Sequence, residues 1–260
     1  MVEDGICSAG LAFGYLSRSC RSYFAAGRSY YRGKKLLEIG HPVEAVPHFQ
    51  KALESGTTSP DVLQNTALAY LRAGMPEEAY KVVEGRTFEN TKLFRSVEAE
   101  FNRWVQASEK ANNAAQLYKE KKYREAAKSM HEAATTYPEL PSFSDSADRL
   151  DYTVLFDAGD YDGLVALSEK LWARNQSYES AAALSGAYAC RYAVTGDNGV
   201  KRKATEMIDR ARSLAKSKDE QDNLSEWQPR FDHRIQTRKI LTREQYYALF
   251  PEQPTKEGRN

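Results

Sequence analysis

Apolar residues recur along most of this chain at intervals of three and four, the spacing that places them on one face of an α-helix. Between Ser29 and Val83 the same arrangement occurs twice, 34 residues apart. Residues 40–45 (GHPVEA) and 74–79 (GMPEEA) agree at glycine, proline, glutamate and alanine. A period of this length is typical of helix-turn-helix repeats, so the pattern predicts two such units in succession.

Glycine and proline stand where a helical hairpin needs them. Gly40 suits the position just past a helix end, and Pro42 suits the first turn of the next helix, where its missing N–H is not needed. Gly33 lies inside the first helix at a cost of about 1 kcal/mol relative to alanine, which predicts close approach of the partner helix at Ala45. Ala67 takes the place of Gly33 in the second unit, and it is also small.

The remaining chain divides into further helical segments. A stretch rich in proline, serine and aspartate from Tyr137 to Asp145 predicts a linker, and the chain beyond Lys216 is polar up to Trp227. The predicted segments are an N-terminal capping helix (1–28), two repeats (29–87), an inserted or extended helix (88–106), a third repeat (107–140), two degenerate hairpins (141–216), and a C-terminal capping segment with a disordered tail (217–260).

The small, aromatic and bulky positions of these units resemble the tetratricopeptide repeat (TPR) family. One departure is Gly85-Arg86, which stands where the second unit should have its closing alanine and predicts an early helix end. The resemblance implies an all-α fold, an α-solenoid of about five helix-turn-helix repeats with capping helices. The matching residues are Gly33, Leu36, Ala45, Phe49 and Ala52, then Ala67, Tyr70, Ala79 and Val83, then Ala114, Leu117, Ala126, Met130 and Ala133.

The resemblance also implies a binding surface, because such arrays commonly bind their partners on the concave face. Tyrosine offers contact area at low entropic cost, and amides and cations satisfy backbone carbonyls and carboxylates. An alternative role for the two tyrosines is packing against the capping helix. The predicted protein-binding groove consists of Tyr30, Tyr31, Lys34, Gln64, Asn65, Leu68, Arg72, Asn112, Tyr118 and Lys119.

The composition restricts the location and the classes of partner but does not identify a partner. The 260 residues carry a formal net charge of +1, so no global field draws the protein to nucleic acid. Three scattered cysteines fit a reducing compartment, and the acidic N-terminus with its short apolar run is unlike a signal peptide or a membrane span. These features predict a cytoplasmic protein without a membrane span.

No pattern of catalytic or metal-binding residues is present in the sequence. The four histidines are dispersed, and no phosphate loop or zinc motif occurs. Asp157 to Gly163 has three carboxylates and a glycine but lacks the closing glutamate of a calcium loop, which favours a helix turn. The basic stretch near Lys201 is interleaved with acidic residues, as on a solvated helix face. We therefore expect no enzyme activity, cofactor, metal or nucleic-acid partner.

The function predicted from the sequence is a protein–protein interaction scaffold or adaptor that binds a peptide or protein segment, with no catalysis. Two alternatives stay open. One is a regulatory module of a larger enzyme or membrane-associated assembly, and the other is a secretion-type chaperone for an unfolded client.

Overall fold

The computed structural model describes residues 18–55, 59–84 and 92–242, together with Gln245, Ala248 and Leu249. This part of the chain contains 11 helices and no strand, which confirms the predicted all-α helical-repeat fold. The helices are α1 (Arg18–Glu38), α2 (Pro42–Glu54), α3 (Pro60–Arg72), α4 (Pro76–Val83), α5 (Lys92–Lys119), α6 (Tyr123–Thr136), α7 (Pro141–Asp157), α8 (Tyr161–Arg174), α9 (Tyr178–Thr195), α10 (Asn198–Leu214) and α11 (Lys218–Thr237).

The first two hairpin turns form as the sequence predicts. Gly40 and Gly74 have φ of +82° and +77°, a conformation that favours glycine. The amide after each glycine donates to the carbonyl five residues earlier, at 2.9 and 2.8 Å, which satisfies the end of the first helix. A proline then begins α2 and α4. The third hairpin has the same bond, but Lys121 takes the left-handed position with φ of 61°.

Helix α1 runs without interruption across residue 28, where the sequence predicted a boundary between a capping helix and the first repeat. The rest of that capping helix, residues 1–17, lies outside the described residues. Gly33 does mark close approach to α2: a Cβ there would lie 3.2 Å from the Phe49 ring and 3.2 Å from His48 Cβ. The contact therefore falls on Phe49, which is fully buried, rather than on Ala45 as predicted.

Helices α4 and α5 depart from the regular repeat. Helix α4 has only 8 residues and ends at Val83, as the sequence predicted. Helix α5 has 28 residues and joins the predicted inserted helix to the first helix of the third repeat. It packs against both α3 and α6. Helix α5 thus belongs to two helix–helix interfaces, one with the second hairpin and one within the third.

Helix packing divides the chain into two compact units, and the division falls between Asp148 and Arg149 in the sequence of α7. In the second unit α9 packs against α8, α10 and α11. Two segments differ from the sequence prediction. Helix α7 already begins at Pro141, inside the predicted linker, and α11 is a helix of 20 residues in the stretch predicted only as a polar capping segment. Ser217 caps α11 by bonding the amide of Glu220.

Candidate protein-binding surface

The first helices of the three hairpins in the first unit, α1, α3 and α5, are neighbours, with α3 in contact with the other two. Side-chain hydrogen bonds join α3 to α1 and α3 to α5. Asn65 Nδ2 of α3 donates to the Tyr30 hydroxyl of α1 at 3.1 Å, and Gln64 Nε2 donates to Ser96 Oγ of α5 at 2.6 Å. The structure therefore brings Tyr30, Gln64 and Asn65 together and gives them internal hydrogen-bond partners.

On α1 the two adjacent tyrosines differ in their surroundings. Tyr30 is half-buried, with its ring 6.0 Å from that of Phe49, and burial followed by the negative charge of Asp61 raises its pKa. It packs on α2 and α3. Tyr31 is 71% exposed, and its ring meets that of Tyr30 edge to face, with 5.5 Å between the ring centres. Lys34 is exposed, with its Nζ 4.0 Å from a Glu38 oxygen.

On α3 the remaining predicted residues are partly engaged in the fold. Asn65 Nδ2 also donates to the carbonyl of Asp61 at 2.8 Å. Leu68 is half-buried and packs on the core formed by α1 to α5. Arg72 donates two hydrogen bonds to the carboxylate of Glu100 on α5, from Nε at 2.7 Å and from Nη2 at 2.9 Å. We name Tyr30, Lys34, Gln64, Asn65, Leu68 and Arg72 the first-helix surface.

Glu100 is a buried carboxylate that the sequence analysis did not single out. Its side chain is 8% exposed. Besides the two bonds from Arg72, it accepts one from the Tyr137 hydroxyl at 3.0 Å. The Tyr137 side chain is fully buried, so burial and then the charge of Glu100 raise its pKa. The bond to Glu100 likewise raises the pKa of Arg72.

This network continues beyond Glu100 through Arg103. The Arg103 guanidinium donates to Glu139 Oε1 at 2.9 Å and lies 5.5 Å from the centre of the Tyr137 ring. The carboxylate of Glu100 thus ties α3 and α5 to the segment that follows α6. Buried charges need such partners, because an unpaired one is strongly destabilising.

Asn112, Tyr118 and Lys119 lie apart from the other predicted groove residues. They are exposed on the C-terminal half of α5, the half that packs on α6, and Tyr118 meets Tyr123 with 5.3 Å between ring centres. Asn112 follows Glu100 by 12 residues, or roughly 18 Å along a helix. The structure therefore separates the predicted groove into two groups, whose binding roles stay predictions.

The structure also bears on metal binding and on membrane insertion. Asp160 accepts a hydrogen bond from the amide of Gly163 at 2.9 Å and caps α8, as the helix-turn interpretation of this acidic segment predicts. Among the described residues, no three His, Cys, Asp or Glu side chains form a group able to hold a metal ion. No helix in the described ranges is long and apolar enough to cross a bilayer.

This chain is similar to a known protein in structure. No family model matches the chain, and no curated protein matches it. Among solved structures, the TPR domain of P58(IPK) is similar, with a TM-score of 0.56 and 12% sequence identity. The similarity covers 81% of this chain and 57% of that one, so it spans little more than half of the P58(IPK) domain chain. It shows a TPR-like helical-repeat fold.

Proposed function

We propose that this protein is an interaction scaffold or adaptor that binds a peptide or protein segment on the first-helix surface, without catalysis of its own. The observation that carries the proposal is the side-by-side arrangement of α1, α3 and α5, with aromatic, amide and cationic side chains along their lines of contact. A TPR-like fold supports protein binding in general.

The cross-helix bonds suit this surface to binding. Tyr30 and Arg72 are held by Asn65 and Glu100 before any partner arrives. Immobilising a flexible side chain costs about 0.5–1.5 kcal/mol on association. A surface whose side chains are already ordered loses less binding free energy in this way. Lys34 is exposed and Gln64 is half-buried, and both are placed to meet carboxylates and backbone groups of an extended partner.

The cysteine content and the net charge of the chain bear on its location and on its class of partner. Cys190 is an unpaired, buried thiol, and the formal net charge of the chain is only +1. The free thiol supports a reducing compartment such as the cytoplasm. The balanced net charge supports a protein partner rather than nucleic acid.

Affinity purification from cells tests the proposal. A Lys34→Ala/Gln64→Ala variant changes two side chains of the first-helix surface, of which Lys34 is exposed and Gln64 is half-buried. A Lys51→Ala/Lys128→Ala variant changes two exposed lysines on the second helices α2 and α6 and serves as the matched control. We expect the proteins enriched by the wild type to fall about tenfold with the first variant and to persist with the second, while circular dichroism shows both folded.

Equal recovery by both variants would contradict the first-helix surface as the binding site. The recovered set also separates the alternative functions. A regulatory module should bring down one partner in stoichiometric amount, whereas a chaperone should bring down many clients that are unfolded. An adaptor is expected to recover a small number of folded proteins.

A further inference from the structure

The outward face of α1 carries a stripe of exposed cations and apolar side chains. Arg28, Arg32 and Lys35 follow one another at intervals of four and three, which aligns them on one side of the helix. Two large apolar residues accompany them: Tyr31 is 71% exposed, and Ile39, the first residue after α1, is 59% exposed. We name these five residues the α1 stripe. Its length from Arg28 to Ile39 is about 16 Å at 1.5 Å per residue.

The stripe is distinct from the first-helix surface. Tyr30 faces Asn65 of α3. Successive residues of an α-helix differ by about 100° in direction, so Tyr31 turns away from α3. Tyr31 therefore belongs to the α1 stripe, a surface separate from the one that the proposed function uses.

The charge of this helix is unlike that of the chain. Residues 18–38 contain six arginines and lysines and one acidic residue, a net +5, whereas the whole chain is +1. The remaining residues therefore sum to −4. Arg28, Arg32 and Lys35 form no ion pair within the described residues. Like charges three or four residues apart weaken a helix, so folding alone does not account for this arrangement.

The structure favours a protein over the two other classes of anionic partner. A basic helix that binds a membrane must insert an apolar face, but Gly33 and Leu37 on the apolar face of α1 are already buried. Nucleic acid is bound through many phosphate contacts along an extended track. Here the cations cover only about two turns of one helix, and Glu38 lies beside them.

We propose that the α1 stripe binds an acidic amphipathic segment of another protein. Carboxylates on the partner would pair with Arg28, Arg32 and Lys35, and arginine can take a carboxylate with two parallel hydrogen bonds. Apolar side chains between those carboxylates would cover Tyr31 and Ile39. A segment with glutamates three and four residues apart matches the spacing of the stripe.

Fluorescence anisotropy with defined probes tests this proposal on the full chain. The probe is a short labelled peptide with glutamates at three- and four-residue spacing and leucines between them. Its matched control replaces each glutamate with glutamine. Duplex DNA and vesicles of phosphatidylcholine with phosphatidylserine are the competing probes. We expect the acidic peptide to bind at least about tenfold more tightly than its glutamine counterpart, and to weaken with added salt.

Charge reversal identifies the surface. The Arg28→Glu/Arg32→Glu/Lys35→Glu variant should weaken binding of the acidic peptide about tenfold or more. The control variant Arg202→Glu/Arg210→Glu/Lys218→Glu makes the same change in net charge at exposed positions of α10 and α11 and should bind as the wild type does. Should the first variant fail to fold, the corresponding glutamine substitutions and a Tyr31→Ser/Ile39→Ser variant give the same comparison.

Several results would overturn the proposal. Equal weakening by both charge variants would mean a non-specific effect of net charge. Tighter binding of DNA or vesicles than of the acidic peptide would assign the stripe to another class of partner. A photocrosslinker in place of Tyr31 that reacts within the same chain, in the presence of the peptide, would mean that the chain itself covers the stripe. None of these outcomes depends on Lys34 or Gln64, so failure here leaves the proposed function standing.

Discussion

The two compact units both place a glycine of a first helix against an aromatic ring, yet they are held together differently. In the first unit Gly33 faces Phe49, and polar side chains join α1, α3 and α5. In the second unit Gly186 of α9 faces Trp227, and α9 is enclosed by α8, α10 and α11. One unit leaves polar groups of its first helices partly exposed, whereas the other buries most of α9. The same hairpin can therefore present a surface or form a core.

The largest effect should follow from removing the charge that unites the first unit. Glu100→Ala leaves Arg72 and Tyr137 without their acceptor, and breaking a buried pair in this way costs several kcal/mol. Because Arg72 is still 30% exposed to water, we expect a loss of about 3 kcal/mol in the free energy of unfolding. Urea denaturation measures it.

Glu98→Ala on the same helix is the control for this change, since Glu98 is exposed. It should alter stability by less than about 0.5 kcal/mol. If the Glu100 and Glu98 variants are equally stable, the buried network does not hold the first unit together.

The second unit should be sensitive to steric change instead. In Gly186→Ala the new Cβ would lie 2.7 Å from the Trp227 ring, closer than side chains pack. Overpacking of this kind costs about 1–3 kcal/mol, and better helix propensity returns up to about 1 kcal/mol. We expect a net loss of about 1–2 kcal/mol in thermal or chemical denaturation.

Gly27→Ala provides the matched control, because a Cβ at Gly27 meets nothing within 4 Å. That variant should gain stability through propensity alone. Trp227→Leu combined with Gly186→Ala should recover part of the loss. A Gly186→Ala protein as stable as the wild type would mean that α9 and α11 are not tightly packed.

A smaller, pH-dependent effect should come from Tyr137→Phe. Removing the hydroxyl donor to Glu100 should cost about 1 kcal/mol at pH 7. Burial, and then the charge of Glu100, raise the pKa of Tyr137 in the folded protein, whereas in the unfolded chain it ionises near about 10. As the pH rises above about 10, ionisation of Tyr137 in the unfolded chain therefore lowers the stability of the wild type. The Tyr137→Phe variant has no hydroxyl at this position and does not lose stability in this way. The difference between them should narrow in urea denaturation at alkaline pH, and a difference that widens would contradict the assignment.

The smallest effect should be that of Gly33→Ala. Its Cβ would lie 3.2 Å from the Phe49 ring, a contact relieved by a shift of a few tenths of an ångström. The cost of that shift and the gain in propensity are both about 1 kcal/mol or less, so stability should change by no more than about 0.5 kcal/mol. A loss as large as that of Gly186→Ala would remove the contrast between the units.

Sequence patterns predicted the local features of this fold well, because those features depend on neighbouring residues. The turns at Gly40 and Gly74 need only a left-handed glycine and a following proline, which lie within three residues of each other. The early end of α4 at Val83 likewise agrees with Gly85 two residues later, since glycine is a poor helix former. Helix α11 was missed because only Leu224 and Phe231 are buried in it. The capping pair Ser217 and Glu220 was the available signal.

The site was harder to predict because its contacts are not local. Glu100 meets Arg72 across 28 residues and Tyr137 across 37. A single glutamate in a polar stretch of helix is ordinarily exposed. The placement of Asn112 and Tyr118 away from Gln64 depends on where α5 begins, and that start was not fixed by the repeat period. Contacts within one helix, by contrast, follow from spacing.

Helix α5 has a consequence for how this architecture could grow or shrink. Repeat proteins are usually modular, since whole units can be duplicated or excised at the loops between them. The 28 residues of α5 contain no loop, and the helix serves α3 at one end and α6 at the other. A cut anywhere inside it would leave two partial interfaces. In evolution or in engineering, the second and third hairpins must therefore be inherited as a pair.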